Sequence, residues 1–96
     1  MANYQTREDV LVDELIDRVE KLVDEKFLVV YNDDVNTFDH VIESLVDVCD
    51  HSEEQAEQCA MMVHFKGRAS VRQGPFNKLH PMKTALTDRG INAVIE

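Results

Sequence analysis

Asn32, Asp33 and Asp34 stand one after another directly behind the apolar run Phe27-Leu28-Val29-Val30-Tyr31. Ionised carboxylates only accept hydrogen bonds, and an asparagine amide both accepts and donates, so three such side chains in a row suit a cation. The same residue types dominate ordinary turns, and composition alone reads them first as a solvated turn. A second segment shifts that balance. Met61-Met62-Val63-His64-Phe65 lies near the end of a helical stretch, and if that stretch packs beside the apolar run, His64 comes within reach of the turn. A histidine there also has a plainer use, facing a helix C-terminus as a cation.

Two neighbouring carboxylates and a histidine are also the raw material of general acid–base catalysis. No glycine-rich phosphate loop, nucleophile elbow or H-E-x-x-H segment accompanies them, and so short a chain leaves little scaffold for a cleft. A binding protein rather than an enzyme is the expectation. Cys49, His51, Cys59 and His64 are ordinary transition-metal ligands, but C-x-H-x7-C-x4-H matches no standard zinc spacing. Cys59 also falls on an apolar face, where a small buried hydrophobe is the usual occupant. No metal and no other cofactor is expected.

The chain that must position these groups has 96 residues, enough for one domain, with an apolar share of 44% and a charged share of 30% that fit an ordinary globular protein. Its formal charge of −9 argues against a nucleic-acid partner, which needs a basic surface to release counterions. The apolar run is far short of the ~20 residues of a membrane span, and the start, Met-Ala-Asn-Tyr-Gln-Thr-Arg-Glu-Asp, has neither the basic nor the apolar region of a secretory signal. Two cysteines are too few for a disulfide scaffold. Reduced thiols, and with them a cytoplasmic protein without membrane contact, are expected.

Residues 8–25 place Leu11, Val12, Leu15, Ile16, Val19, Leu22 and Val23 at helical spacing between carboxylates, with Thr6 and Asp9 able to form a capping box. An amphipathic N-terminal helix is expected over this arm, residues 1–25. Its stripe must pack on its own domain, on a second copy of the chain or on another partner. Lys26 to Tyr31 is β-branched and aromatic and reads as a buried strand. Asn36 or Thr37 opens a helix through Val48 that faces Val41, Ile42, Leu45 and Val46 inward. Ser52-Glu53-Glu54-Gln55 fits a capping box for a third helix, which Gly67 stops. Arg68 to Gln73 reads as a second strand, Gly74-Pro75 as a turn, Phe76 to Asp88 as a helix containing Pro81, and Ile91 to Ile95 as a last strand. The expected fold is α+β: a β-α-α-β-α-β sandwich, residues 26–96, with a three-stranded antiparallel sheet covered by helices, plus the N-terminal helix.

Taken together, these residues resemble the ClpS adaptors, which deliver substrates to an AAA+ protease. The resemblance runs from about Lys26 to Glu96. It is carried by the apolar strand, by Asn32-Asp33-Asp34, by the helix that follows, by Val63-His64-Phe65-Lys66-Gly67-Arg68, and by a closing apolar strand that ends in Glu.

This resemblance implies recognition of N-degrons, exposed first residues of the Leu, Phe, Tyr or Trp type, and hand-over to a Clp AAA+ ATPase. It implies that Asn32, Asp34 and His64 hold the substrate α-ammonium group and that Asp33 adds to the field beside them. The family lines its side-chain pocket with positions that here are Val30, Tyr31, Asn36 and Phe38 around the turn. Val41 on the second helix, Ala60 and Val63 on the third, and Ile91 before the last strand complete the lining. On this reading one ring nitrogen of the neutral imidazole accepts a hydrogen bond from the ammonium, so binding weakens on acidification. The chain departs from the family pattern after Asn-Asp-Asp, where aromatic-Thr-Pro-Met gives way to Val35-Asn36-Thr37-Phe38, and at Ala60, where Met is common. Phe38 is therefore expected to narrow the pocket mouth and Ala60 to deepen its wall. Loss of degron binding, leaving a bare interaction module of the same fold, is the alternative.

Overall fold

The computed structural model describes residues 6–96, apart from the side chains of residues 20–23. Residues 1–5, and the Leu22 and Val23 side chains of the N-terminal stripe, thus lie outside the described residues. Seven elements follow in order: α1 (Arg7–Asp24), β1 (Glu25–Tyr31), α2 (Phe38–Cys49), α3 (Glu53–Lys66), β2 (Arg68–Pro75), α4 (Phe76–Asp88) and β3 (Ala93–Ile95). They form the α+β architecture expected, a three-stranded antiparallel sheet with helices packed on it.

β1 is the central strand of the order β2-β1-β3, which explains its apolar composition. Leu28, Val29 and Val30 are consecutive yet all buried, and an irregularity in the β1–β2 register between Leu28 and Val29 interrupts the alternation that a regular strand imposes. The core gathers Leu28 and Val30 with Val41 and Leu45 of α2, Ala56, Ala60 and Val63 of α3, and Leu79 and Leu86 of α4. Complete burial of each leucine contributes about 1.5–3 kcal/mol relative to exposure.

The first three helix starts carry the side-chain caps that the sequence suggests. Thr37 Oγ1 accepts from His40 N at 3.1 Å, Ser52 Oγ accepts from Gln55 N at 3.1 Å, and Thr6 and Asp9 complete a reciprocal box on α1. Gly74-Pro75 does not turn the chain. β2 continues through both residues, opposite Lys26 and Glu25, and α4 follows at once. Pro75 is tolerated because it ends an edge strand, where its missing N–H costs no ladder bond. The last strand is shorter than expected, Ala93–Ile95, although Asn92 O still accepts from Tyr31 N at 2.9 Å.

α1 shows how little of its stripe the rest of the molecule covers. Leu11, Val12, Leu15, Ile16 and Val19 are exposed, Leu15 at 59%. Packing of these side chains on the domain, one of the three readings open from the sequence, is therefore not what the described residues show. Among the described residues no helix is long and apolar enough to cross a membrane.

Candidate functional site

The turn after β1 meets the end of α3 because of a short backbone chain of cause. α3 stops at Gly67, whose φ of 88° lies in the left-handed region that glycine enters without strain. Gly67 N donates to Val63 O at 3.0 Å and closes the helix. The chain then enters β2, with Arg68 opposite Tyr31, and Gly67 O accepts from Asn32 N at 2.9 Å. His64 occupies the last turn of α3, so the strand register delivers its ring to the loop that begins at Asn32.

Within that loop the three acceptors divide their work. Asp33 Oδ1 accepts from Val35 N at 2.9 Å and Asn36 N at 2.8 Å, while Oδ2 accepts from Asn36 Nδ2 at 2.7 Å. These bonds, the one from the Asn36 backbone foremost, hold the Asp33 carboxyl below its ordinary value of 3.8. Asn36 Nδ2 also donates to Gly90 O at 2.8 Å, and His40 Nε2 donates to Arg89 O at 2.9 Å. Asp33 and Asn36 thus fasten the loop to the end of α4. No described residue bonds the side chains of Asn32 and Asp34, which keep their acceptor capacity.

Two spaces adjoin this loop. The outer one, a cleft of about 690 Å³, is bordered on its polar side by Asn32, Asp33, Asp34, Asn36 and His64. Phe38, Met61 and Phe65 form its apolar side, and Glu57 adds a carboxylate. No lysine or arginine lines it, so its charge is wholly acidic. The Phe65 ring meets the His64 ring edge-on, with centroids 5.0 Å apart. The inner space, about 20 Å³, lies among Val30, Tyr31, Val41, Val63 and Ile91, with Asn32, Asp33 and Asn36 as its polar wall.

All four residues expected at the amino group, Asn32, Asp33, Asp34 and His64, border the outer cleft. Six of those expected around the side chain, Val30, Tyr31, Asn36, Val41, Val63 and Ile91, surround the inner space. Phe38 stands on the outer cleft instead. Ala60 lines neither space. It is buried with Ala56 and Val63 on the core face of α3, one residue, or about 100° around the helix, from Met61. Glu57, Met61 and Phe65 were not among the site residues expected from the sequence. Their signal was their spacing, since 57, 61, 64 and 65 are i, i+4, i+7 and i+8 on one helix face with His64.

Tyr31 is steadied from outside. Its hydroxyl donates to Glu96 Oε1, Arg68 stacks over its ring at 5.3 Å, and Arg68 Nη2 donates to Glu96 Oε2 at 2.8 Å. The candidate metal ligands, by contrast, are not assembled. His51 Nε2 donates to Val71 O at 2.6 Å, and burial pushes the Cys49 thiol up to about 11. Among the described residues no group of three or more His, Cys, Asp or Glu side chains is placed to hold a metal ion.

Comparisons with known proteins agree with the resemblance. A family model described as ATP-dependent Clp protease adaptor protein ClpS matches residues 24–93. No curated protein matches the sequence. Among solved structures, ClpS2 of Agrobacterium tumefaciens bound to L-phenylalaninamide is similar in fold, with a TM-score of 0.66 and 20% identity over 76% of this chain and 95% of that one.

Proposed function

We propose, from the premise that the chain belongs to the ClpS family of ATP-dependent Clp protease adaptor proteins, that it binds the free N-terminus of substrate proteins whose first residue is bulky and apolar. It then presents them to a Clp AAA+ ATPase in the cytoplasm. The observation that carries this reading is the set of unengaged acceptors on Asn32 and Asp34 beside His64 and an apolar wall, all on one acidic cleft.

An α-ammonium group brings three donors and a positive charge. Several convergent acceptors satisfy it, and an apolar surface next to them takes up the side chain. Charge-assisted hydrogen bonds contribute ~1.5–3 kcal/mol each and an apolar side chain a similar amount. Against them stands the association entropy, which leaves binding on the order of micromolar, or about −8 kcal/mol. The fold neighbour's ligand, L-phenylalaninamide, has the same two parts, a free α-amine and an aromatic side chain. Asp33 acts from behind, holding the loop in shape while contributing charge. The protein works by binding and not by catalysis, and the exposed stripe of α1 is open to self-association.

Fluorescence-anisotropy titration with labelled peptides that begin in Leu, Phe, Tyr, Trp or Ala, and with acetylated Leu, tests this function. Tight binding to the bulky free termini, lost on acetylation and weak for Ala, is expected. Equal weak signals from all six peptides would overturn it in favour of an interaction module without degron recognition.

A further inference from the structure

We infer that α1 is one strand of a parallel two-stranded coiled coil, the other strand being α1 of a second copy of this chain. Its 18 residues extend about 27 Å, and Leu11, Val12, Leu15, Ile16 and Val19 are each 49–59% exposed along one side. Helices draw most of their stability from packing such a face, and this one lies open to water. A lipid surface is a poor cover for it. Residues 7–19 hold five carboxylates against two arginines, whereas helices that lie on membranes present lysine and arginine on their polar face.

The spacing selects a copy of the same helix, and its direction. Val12, Leu15 and Val19 follow one another by steps of three and four residues, which makes them positions a, d and a of a heptad seam. Branched valine at a with leucine at d is the pattern of two parallel strands. Leu11 then takes a g position and Ile16 an e position. In a parallel pair g of one strand lies beside e of the other, so Leu11 of one copy and Ile16 of its partner widen the seam.

The polar edges favour the same direction. At about 100° per residue, Arg7 and Arg18 fall on one side of the stripe, with Glu14 between them, and Asp9 and Asp13 fall on the other. Parallel pairing sets the arginine edge of one copy against the aspartate edge of its partner, while antiparallel pairing sets like edges together. The direction matters for the site, because β1 begins at Glu25 directly after α1 ends at Asp24. Two parallel helices deliver both core domains, and both clefts, to one end of the rod. On the reading of the cleft as a receptor for N-termini, an oligomeric substrate then engages two clefts at once and gains avidity.

Cysteine cross-linking tests the pairing and its direction. Val10→Cys, Val12→Cys, Leu15→Cys and Val19→Cys are introduced one at a time into a Cys59→Ala chain, in which the remaining Cys49 is fully buried, and are treated with oxidised glutathione at high protein concentration. Val10 lies opposite the stripe and reports chance collision. Leu15, near the middle of α1, faces its own copy in either direction and so reads pairing alone. Val12→Cys, Leu15→Cys and Val19→Cys are each expected to form disulfide-linked dimers about tenfold faster than Val10→Cys, because pairing raises the effective concentration of facing thiols. A mixture of Val12→Cys and Val19→Cys chains is expected to yield little of the mixed dimer. Slow linkage of residues 12 and 19 to themselves, with rapid linkage of 12 to 19 in the mixture, would overturn the parallel direction. Equal rates at residues 10 and 15 would overturn the pairing itself. None of these readouts involves peptide binding, so failure here leaves the cleft reading standing.

Discussion

At the scale of single residues, the Asn-Asp-Asp triplet separates into one structural member and two whose acceptors are open to the cleft. Asp33 spends its carboxylate on Val35 and Asn36, whereas Asn32 and Asp34 face the cleft unengaged by any described residue. Asp34→Asn and His64→Ala are therefore expected to weaken peptide binding about tenfold each, the worth of one charge-assisted bond, with melting temperatures close to wild type. Peptide titration beside thermal melts checks both halves. Asp33→Ala is expected to act through stability. Because the folded state holds this carboxyl below its ordinary 3.8, its contribution is present above that value and is lost as the pH falls through the lowered one. Melts of wild type and Asp33→Ala should differ at pH 7 and converge in strong acid. A constant difference would mean that the carboxylate is not the stabilising group.

Among the elements, the hinge between α3 and β2 has the most leverage on the site, because it sets where His64 stands relative to Asn32. Gly67 sits at φ 88° with open space around it, so an added Cβ meets no neighbour but strains the backbone. Gly67→Ala is expected to cost about 1–2 kcal/mol and to weaken peptide binding as well. Chemical denaturation and peptide titration read the two effects, and a variant as stable as wild type would contradict the role given to this cap. Much of this level was legible in the sequence. Gly67 ended α3, Thr37 and Ser52 opened their helices, and the β-branched and aromatic run from Lys26 to Tyr31 read as a buried strand, since caps and side-chain period act locally. Gly74-Pro75 misled, because only the pairing partner, Lys26 and Glu25 of β1, tells an edge strand from a turn. The places of Ala60 and Phe38 were not legible for a related reason. Which face of α3 borders the loop, and which space Phe38 enters, depend on how α3 and α2 pack, and the helical spacing of Glu57, Met61 and Phe65 carries meaning only once the loop is placed against it.

For the whole molecule, charge and exposure point the same way. The formal charge of −9 matches a cleft lined by Asp33, Asp34 and Glu57 without a cationic side chain, a field that attracts an ammonium and repels carboxylates. α1 presents a second surface, with Leu11, Val12, Leu15, Ile16 and Val19 open to solvent. Covering such a stripe is favourable, and in a solution of the pure protein the available cover is another copy. Sedimentation analysis is expected to show concentration-dependent association, relieved in Leu15→Glu with peptide binding unchanged. A wild type that stays monomeric at high concentration would contradict it. The central claim, however, concerns the amino group. Isothermal titration calorimetry of one Phe-initiated peptide, with its terminus free and then acetylated, tests it most directly. The account predicts micromolar-scale affinity for the free form and at least a tenfold loss on acetylation, and equal affinities for the two forms would contradict it.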